Sequence, residues 1–124
     1  MNLVDSCGWL AFFTDSPTAP SFAPAMGDIK QLLVSTINLY EVHKKVLRER
    51  GEDMALEITD IMRQCRVVAV DEEIAIVGAR LAARHGLAMA DSLILATAKT
   101  HEAILWTQDA DFQGLEGVQF IQPA

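Results

Sequence analysis

Four short apolar runs recur along the chain, each followed by a polar turn and a helix-period segment. Asn2 to Val4 and Gln31 to Ser35 read as the first two strands, Val67 to Val70 as the third and Ile104 to Thr107 as the fourth. Val118 to Ile121 is a candidate edge strand. The run Leu32-Leu33-Val34 is continuous rather than alternating, as expected of a strand covered by helices on both faces. Between these runs the spacing predicts helices over Ser6 to Phe13, Phe22 to Ile29 (with Pro24 in its first turn), Ile37 to Arg50 and Asp53 to Gln64. Two more are predicted from Asp71 or Glu72 to His85 and from Met89 to Glu102. Gly51 and Gly86 stand where helices stop, and Thr14 to Pro20 has loop chemistry. Strands separated by helices pair in parallel through right-handed crossovers. The expected class is therefore α/β, with a central, mainly parallel sheet of four to five strands.

The bulk properties narrow this only a little. At 124 residues, 51% hydrophobic and 22% charged, the chain has enough apolar material for a core, and one domain spanning residues 1–124 is expected. No apolar run approaches the roughly 20 residues of a spanning helix, and residues 1–5 lack a signal-like leader, so a cytoplasmic protein with no membrane partner is expected. Cys7 and Cys65 lack metal-ligand spacing and are read as two reduced, buried thiols. A net charge of −7 argues against a coat protein for nucleic acid. It does not argue against a nuclease, because bound cations cancel charge locally.

The acidic residues change the picture most. Asp5 closes the first strand, Glu41 lies in the helix after the second, Asp91 opens a helix, and Asp109 and Asp111 follow the fourth strand. In an open parallel sheet the carboxyl ends of the strands meet in one crevice, and ligands bind there. Carboxylates brought together in it repel one another unless a cation or a proton intervenes. An all-oxygen set suits Mg²⁺ or Mn²⁺. Each acid also has a plainer reading. Asp5 serves as a helix cap, Asp91 as a first-turn charge, Glu41 as the partner of Lys44 or Lys45, and the Asp109–Asp111 pair as turn formers. Asp91 strains its plain reading, because Ile94 and Leu95 at its helical neighbours place it beside an apolar stripe. Thr107 and Ser6 are placed to hold the carboxylates by hydrogen bonds, and Lys44, Lys45 and Arg48 are candidate phosphate contacts. The three histidines are scattered, and the tryptophans, Tyr40 and the phenylalanines are read as core.

Four motifs in order carry a resemblance: Leu3-Val4-Asp5-Ser6, Leu39-Tyr40-Glu41-Val42, Met89-Ala90-Asp91-Ser92 with the apolar run after it, and Thr107-Gln108-Asp109-Ala110-Asp111-Phe112. Together they make the chain resemble PIN-domain ribonucleases, specifically VapC-type toxins of toxin–antitoxin modules. The resemblance implies a three-layer α/β/α PIN-like domain and Mg²⁺- or Mn²⁺-dependent endoribonuclease activity. It places the catalytic acids on Asp5, Glu41, Asp91 and Asp109, with Asp111 as a further metal ligand. It also implies a homodimer and inhibition by a cognate VapB-type antitoxin. Cys7 stands where family members often carry a serine, and Thr36 near where many have a proline. Two other readings compete. A receiver-like signalling domain wants adjacent acids after the first strand and a phosphoacceptor such as Asp71 after the third, whereas Asp5 stands alone. A catalytically inactive PIN-like binding module would keep the fold without the cleavage.

Overall fold

The computed structural model describes residues 1–123. Five strands form one sheet: β1 (Asn2–Val4), β2 (Leu32–Ser35), β3 (Arg66–Val68), β4 (Ile104–Thr107) and β5 (Val118–Phe120). Their order is β3-β2-β1-β4-β5, and all four pairings are parallel. The chain builds outward from β1 to one side, then crosses back to lay β4 on the other. The topological switch therefore falls between β1 and β4.

Alternation along these short strands sorts the core into two halves. Leu3, Leu33 and Leu105 sit level with one another and face one side. There they pack with Ile74 and Leu81 of α5 (Glu72–His85) and Ile94 and Leu95 of α6 (Met89–Thr100). Val4, Leu32 and Val34 face the other side. Their partners are Trp9 of α1 (Ser6–Phe13), Phe22 of α2 (Ala19–Met26), Val42 and Val46 of α3 (Thr36–Arg50) and Met62 of α4 (Glu52–Met62). The result is the expected three-layer α/β/α arrangement with helices on both faces, which is why β2 has no polar side.

The differences from the sequence-based elements have local causes. The second helix begins at Ala19 and ends at Met26, so Pro20 occupies its first turn while Pro24 lies inside it on the exposed side. Asp28 then caps a single 3-10 turn, accepting from the Lys30 N–H, and this delays β2 to Leu32. The third strand stops at Val68 because its partner runs out: Ser35 of β2 pairs with Val68, and the next residue, Thr36, already begins α3. Gly51 (φ 91°) and Gly86 (φ 68°) end α3 and α5 in backbone conformations that disfavour a side chain. Tyr40 and Phe12 are exposed rather than core.

Candidate metal centre

The crevice at the carboxyl ends of β1 and β4 gathers the acids. Asp5 follows β1 and is 5% exposed. Its Oδ1 accepts from the Ser6 N–H at 2.8 Å, which caps α1, and its Oδ2 accepts from the Thr107 hydroxyl at 2.7 Å. Thr107 closes β4, the strand beside β1, and its oxygen also accepts the Asp109 N–H at 3.0 Å. A single buried threonine thus fixes the Asp5 carboxylate and the backbone of Asp109 together. Asp109 Oδ1 in turn accepts the Asp111 N–H at 3.0 Å, shaping the 3-10 turn Ala110–Phe112.

Asp91 enters from α6. The N-cap of that helix is Ala88, with no side-chain cap, so Asp91 is not serving as one. Each of Asp91, Asp109 and Asp111 offers a carboxylate oxygen within 4.8 Å of the other two. Glu41 enters from α3, half-buried, with Oε1 accepting from the Ser6 hydroxyl at 2.7 Å. All five sequence-predicted acids therefore meet in one crevice, and both hydroxyl residues, Ser6 and Thr107, bond to them.

The electrostatics follow from this crowding. Burial pushes the Asp5 carboxyl up from 3.8 to about 6; its hydrogen bonds from Thr107 and Ser6 pull the other way, and Glu41 and Asp109 add to the rise. Asp91 also rises to about 6, by burial first and then by the charges of Asp109, Asp5, Glu41 and Asp111. Among the described residues the three side-chain ion pairs are His43–Glu52, Lys45–Glu49 and Arg63–Asp60, so no basic side chain neutralises the cluster. Hard oxygen donors, raised proton affinity and no cationic partner form a donor set that fits a divalent cation such as Mg²⁺ or Mn²⁺.

The basic candidates divide. Lys45 pairs with Glu49 at 3.1 Å and lines a groove of about 430 Å³ that reaches Cys7 and Gln108 beside the acids. Lys44 instead lies over the Tyr40 ring, 5.7 Å from its centre, on a different hollow. Arg48 is exposed. Asp71, the acid a receiver-like domain would use, is exposed and caps α5 by accepting from the Ile74 N–H.

One residue is placed differently from its sequence reading and one escaped it. Cys7 is half-buried beside the acids rather than in the core, with Sγ 3.8 Å from Asp5 Oδ2 and 3.7 Å from Thr107 Oγ1; burial, then the Asp5 charge, pushes it up to about 11, which keeps it a protonated thiol. Asn38 is fully buried and donates to Ser6 Oγ at 3.0 Å. Its signal was available: it lies three residues after the cap Ser35 and three before Glu41, on one face of α3.

The sequence matches the PIN domain family profile over residues 3–118. The chain belongs to the PIN-domain family. No curated protein matches it at a significant level. Among solved structures it is similar to a toxin–antitoxin complex from Klebsiella pneumoniae, at 24% identity and TM-score 0.82 over 96% of both chains. It is similar to VapC20 of Mycobacterium tuberculosis, a toxin that cleaves the sarcin–ricin loop, at 18% identity and TM-score 0.75 over 96% of this chain and 99% of that one. A third is FitAcB from Neisseria gonorrhoeae, at 23% identity and TM-score 0.71 over 90% and 89%. The PIN fold expected from the four motifs is borne out, and the receiver-like alternative is set aside by family membership.

Proposed function

We propose that this PIN domain, taken as one unit over residues 1–124, is a metal-dependent endoribonuclease toxin of the VapC type. The observation that carries the reading is the unneutralised carboxylate cluster at the β1–β4 switch point. Asp91, Asp109 and Asp111 would hold a Mg²⁺ or Mn²⁺ ion, with Asp5 and Glu41 completing the site. When bound, the cation supplies Lewis-acid activation of the phosphodiester and of the attacking water. The protein's own part is rigidity. Thr107 and the Ser6 N–H hold both oxygens of Asp5, and the Ser6 hydroxyl holds one oxygen of Glu41. The donor set is therefore ordered before substrate arrives. Lys45, one turn beyond Glu41 and lining the groove that reaches Cys7 and Gln108, is the better-placed phosphate contact; Arg48 lies exposed a turn further along α3, and Lys44 is drawn toward Tyr40.

A cognate VapB-type antitoxin fits the same site, because a basic peptide segment is complementary to an acidic crevice. The similarity to structures of toxin–antitoxin complexes supports this partner. A homodimer is proposed on the resemblance to VapC-type toxins. A cytoplasmic location accords with the RNA substrate; among the described residues no helix is long and apolar enough to cross a membrane.

The test is cleavage of an RNA panel by purified protein with Mg²⁺, with Mn²⁺ and with EDTA. Cleavage that requires the cation and vanishes in Asp91→Asn is expected. A folded protein that cuts no RNA under any of these conditions would leave the inactive binding module standing instead. Loss of antitoxin binding in an Asp5/Asp91 double alanine variant would support the partner site, and unchanged affinity would refute it.

A further inference from the structure

We propose that Asn38 is a positioning residue that sets the Glu41 carboxylate through Ser6. The inference rests on the acid cluster being a cation site, and it adds a residue that no part of that reading requires.

The direction of the hydrogen bonds makes the case. The Ser35 backbone N–H can only donate, and it meets the Asn38 side chain at 3.1 Å, so the amide oxygen must lie on that side. The amide nitrogen is thereby turned to Ser6 Oγ, 3.0 Å away, and an amide nitrogen only donates. Ser6 has a single hydroxyl hydrogen. With Asn38 donating to the oxygen, that hydrogen goes to Glu41 Oε1 at 2.7 Å. Three bonds run one way, from the backbone of β2 to a carboxylate oxygen of the site.

Ser6 is held from a second direction. As the first residue of α1, it donates its backbone N–H to Asp5 Oδ1 at 2.8 Å. One serine therefore ties Asp5 by its main chain and Glu41 by its side chain, and Asn38 orients the second tie. The helix that carries Glu41 is registered at this point against the start of α1, which Asp5 caps.

Helix capping does not account for the whole residue. The Asn38 oxygen and the Ser35 hydroxyl, which accepts the Ile37 N–H at 3.1 Å, complete the capping box of α3. The bond from the amide nitrogen to Ser6 is surplus to that box. Burying an amide completely is unfavourable unless its groups are bonded, so a residue needed only for the cap has no reason to carry a second polar arm inward. Glu41 is half-buried on a flexible side chain, and the Ser6 bond restricts it before any ion arrives.

Isothermal titration with Mn²⁺ alone tests this, alongside the Mn²⁺ dependence of RNA cleavage. The proteins are wild type, Asn38→Leu, Asn38→Ser, Ser6→Ala, Ser6→Thr, Asn38→Ser/Ser6→Ala and Asp91→Asn. Removing either link should weaken Mn²⁺ binding and raise the half-activating concentration about 10- to 100-fold, the usual effect of losing a group that orients a ligand. Ser6→Thr, which keeps the hydroxyl, should bind Mn²⁺ more tightly than Ser6→Ala, recovering part or all of the loss. The double variant should be no weaker than Ser6→Ala, because Asn38 acts only through that hydroxyl. Asn38→Ser, too short to reach Ser6, replaces Asn38→Leu should the latter fail to fold. Wild-type binding in both the Asn38 and Ser6 variants, with binding lost in Asp91→Asn, overturns this proposal alone. Losses that multiply in the double variant also overturn it. Wild-type binding in Asp91→Asn overturns the cation site itself.

Discussion

Replacing Asp5 with asparagine should make the metal-free protein more stable at neutral pH. Asp5 is buried, and its carboxyl is raised from 3.8 to about 6, with burial as the largest cause. Between those values the folded protein holds a proton that the unfolded chain has released. Stability of the metal-free protein therefore falls as pH rises through that window, and the cost is complete above about 6. A rise of this size corresponds to about 3 kcal/mol. Asparagine removes the charge but keeps one oxygen. That oxygen can still cap α1 at the Ser6 N–H, whereas the bond from Thr107 is lost or reversed, at about 1 kcal/mol. The net gain above pH 7 is about 2 kcal/mol, or about 8 °C in Tm at about 4 °C per kcal/mol for a domain of this size. Below pH 4, where the wild-type carboxyl is protonated in the folded state, the variant should instead be less stable by about 1 kcal/mol. Asp91 titrates in the same range but is present in both proteins, and removing the Asp5 charge relieves it in the same direction.

The assay is urea unfolding in EDTA at half-unit pH steps from 3 to 8, comparing wild type with Asp5→Asn by circular dichroism. The difference curve should change sign as pH rises through the window from 3.8 to about 6. A difference that stays flat, with the variant equally destabilised at both ends, would refute the placement of Asp5 as a buried carboxylate that resists ionisation. Loss of RNA cleavage together with a gain in stability would mark Asp5 as a residue held for function against stability.

Divalent cation should reverse the balance: Mg²⁺ or Mn²⁺ at a hundredfold excess over its Kd should stabilise wild type by about 2.7 kcal/mol, seen as a rise in Tm, and leave Asp91→Asn unmoved. Thr107→Val removes the donor to Asp5 and the acceptor for the Asp109 N–H, so metal affinity or cleavage should fall about 10- to 100-fold with the fold retained by circular dichroism. Gly8→Ala should destabilise by about 1 to 3 kcal/mol in chemical denaturation, because a Cβ there would meet Val4 Cγ1 at 2.5 Å and the Phe22 ring at 2.7 Å. A Gly8→Ala protein as stable as wild type would show that α1 does not approach β1 and α2 this closely.

The layers were legible because periodicity reports burial. The continuous apolar run of β2 announced cover on both faces, and the helix between Thr36 and Arg50 carried its own stop at Gly51. The end of β3 was not legible, because Ala69 and Val70 are as strand-like as Val67 and Val68. What stops the strand is where its partner ends, a fact of pairing rather than of local composition. The acids were legible as a set, since each follows an apolar strand-like run or lies in or opens a helix beyond one. The supports were legible only in part. Ser6 and Thr107 sit next to acids in sequence, whereas Asn38 reaches Ser6 across 32 positions and looks from its neighbours like an ordinary helix-capping residue. The division among Lys44, Lys45 and Arg48 needed the structure too, because a helical face does not say which way a long side chain turns.

The plain readings of the acids turn out to be half of the functional one. Asp5 caps α1 with Oδ1 and accepts from Thr107 with Oδ2; Asp109 caps its 3-10 turn with Oδ1 while offering a carboxylate oxygen to the cluster. A carboxylate has two oxygens, and a cap engages one of them. The cap supplies rigidity that the second oxygen needs in order to meet an ion without rearrangement. Asp91 and Glu41 cap nothing; Glu41 obtains order from the bond that Ser6 delivers, and Asp91 enters from the first turn of α6. A capping substitution such as Asp5→Ala would therefore loosen α1 and the site at once. Asp5→Asn, which keeps the capping oxygen and removes the charge, separates the two roles.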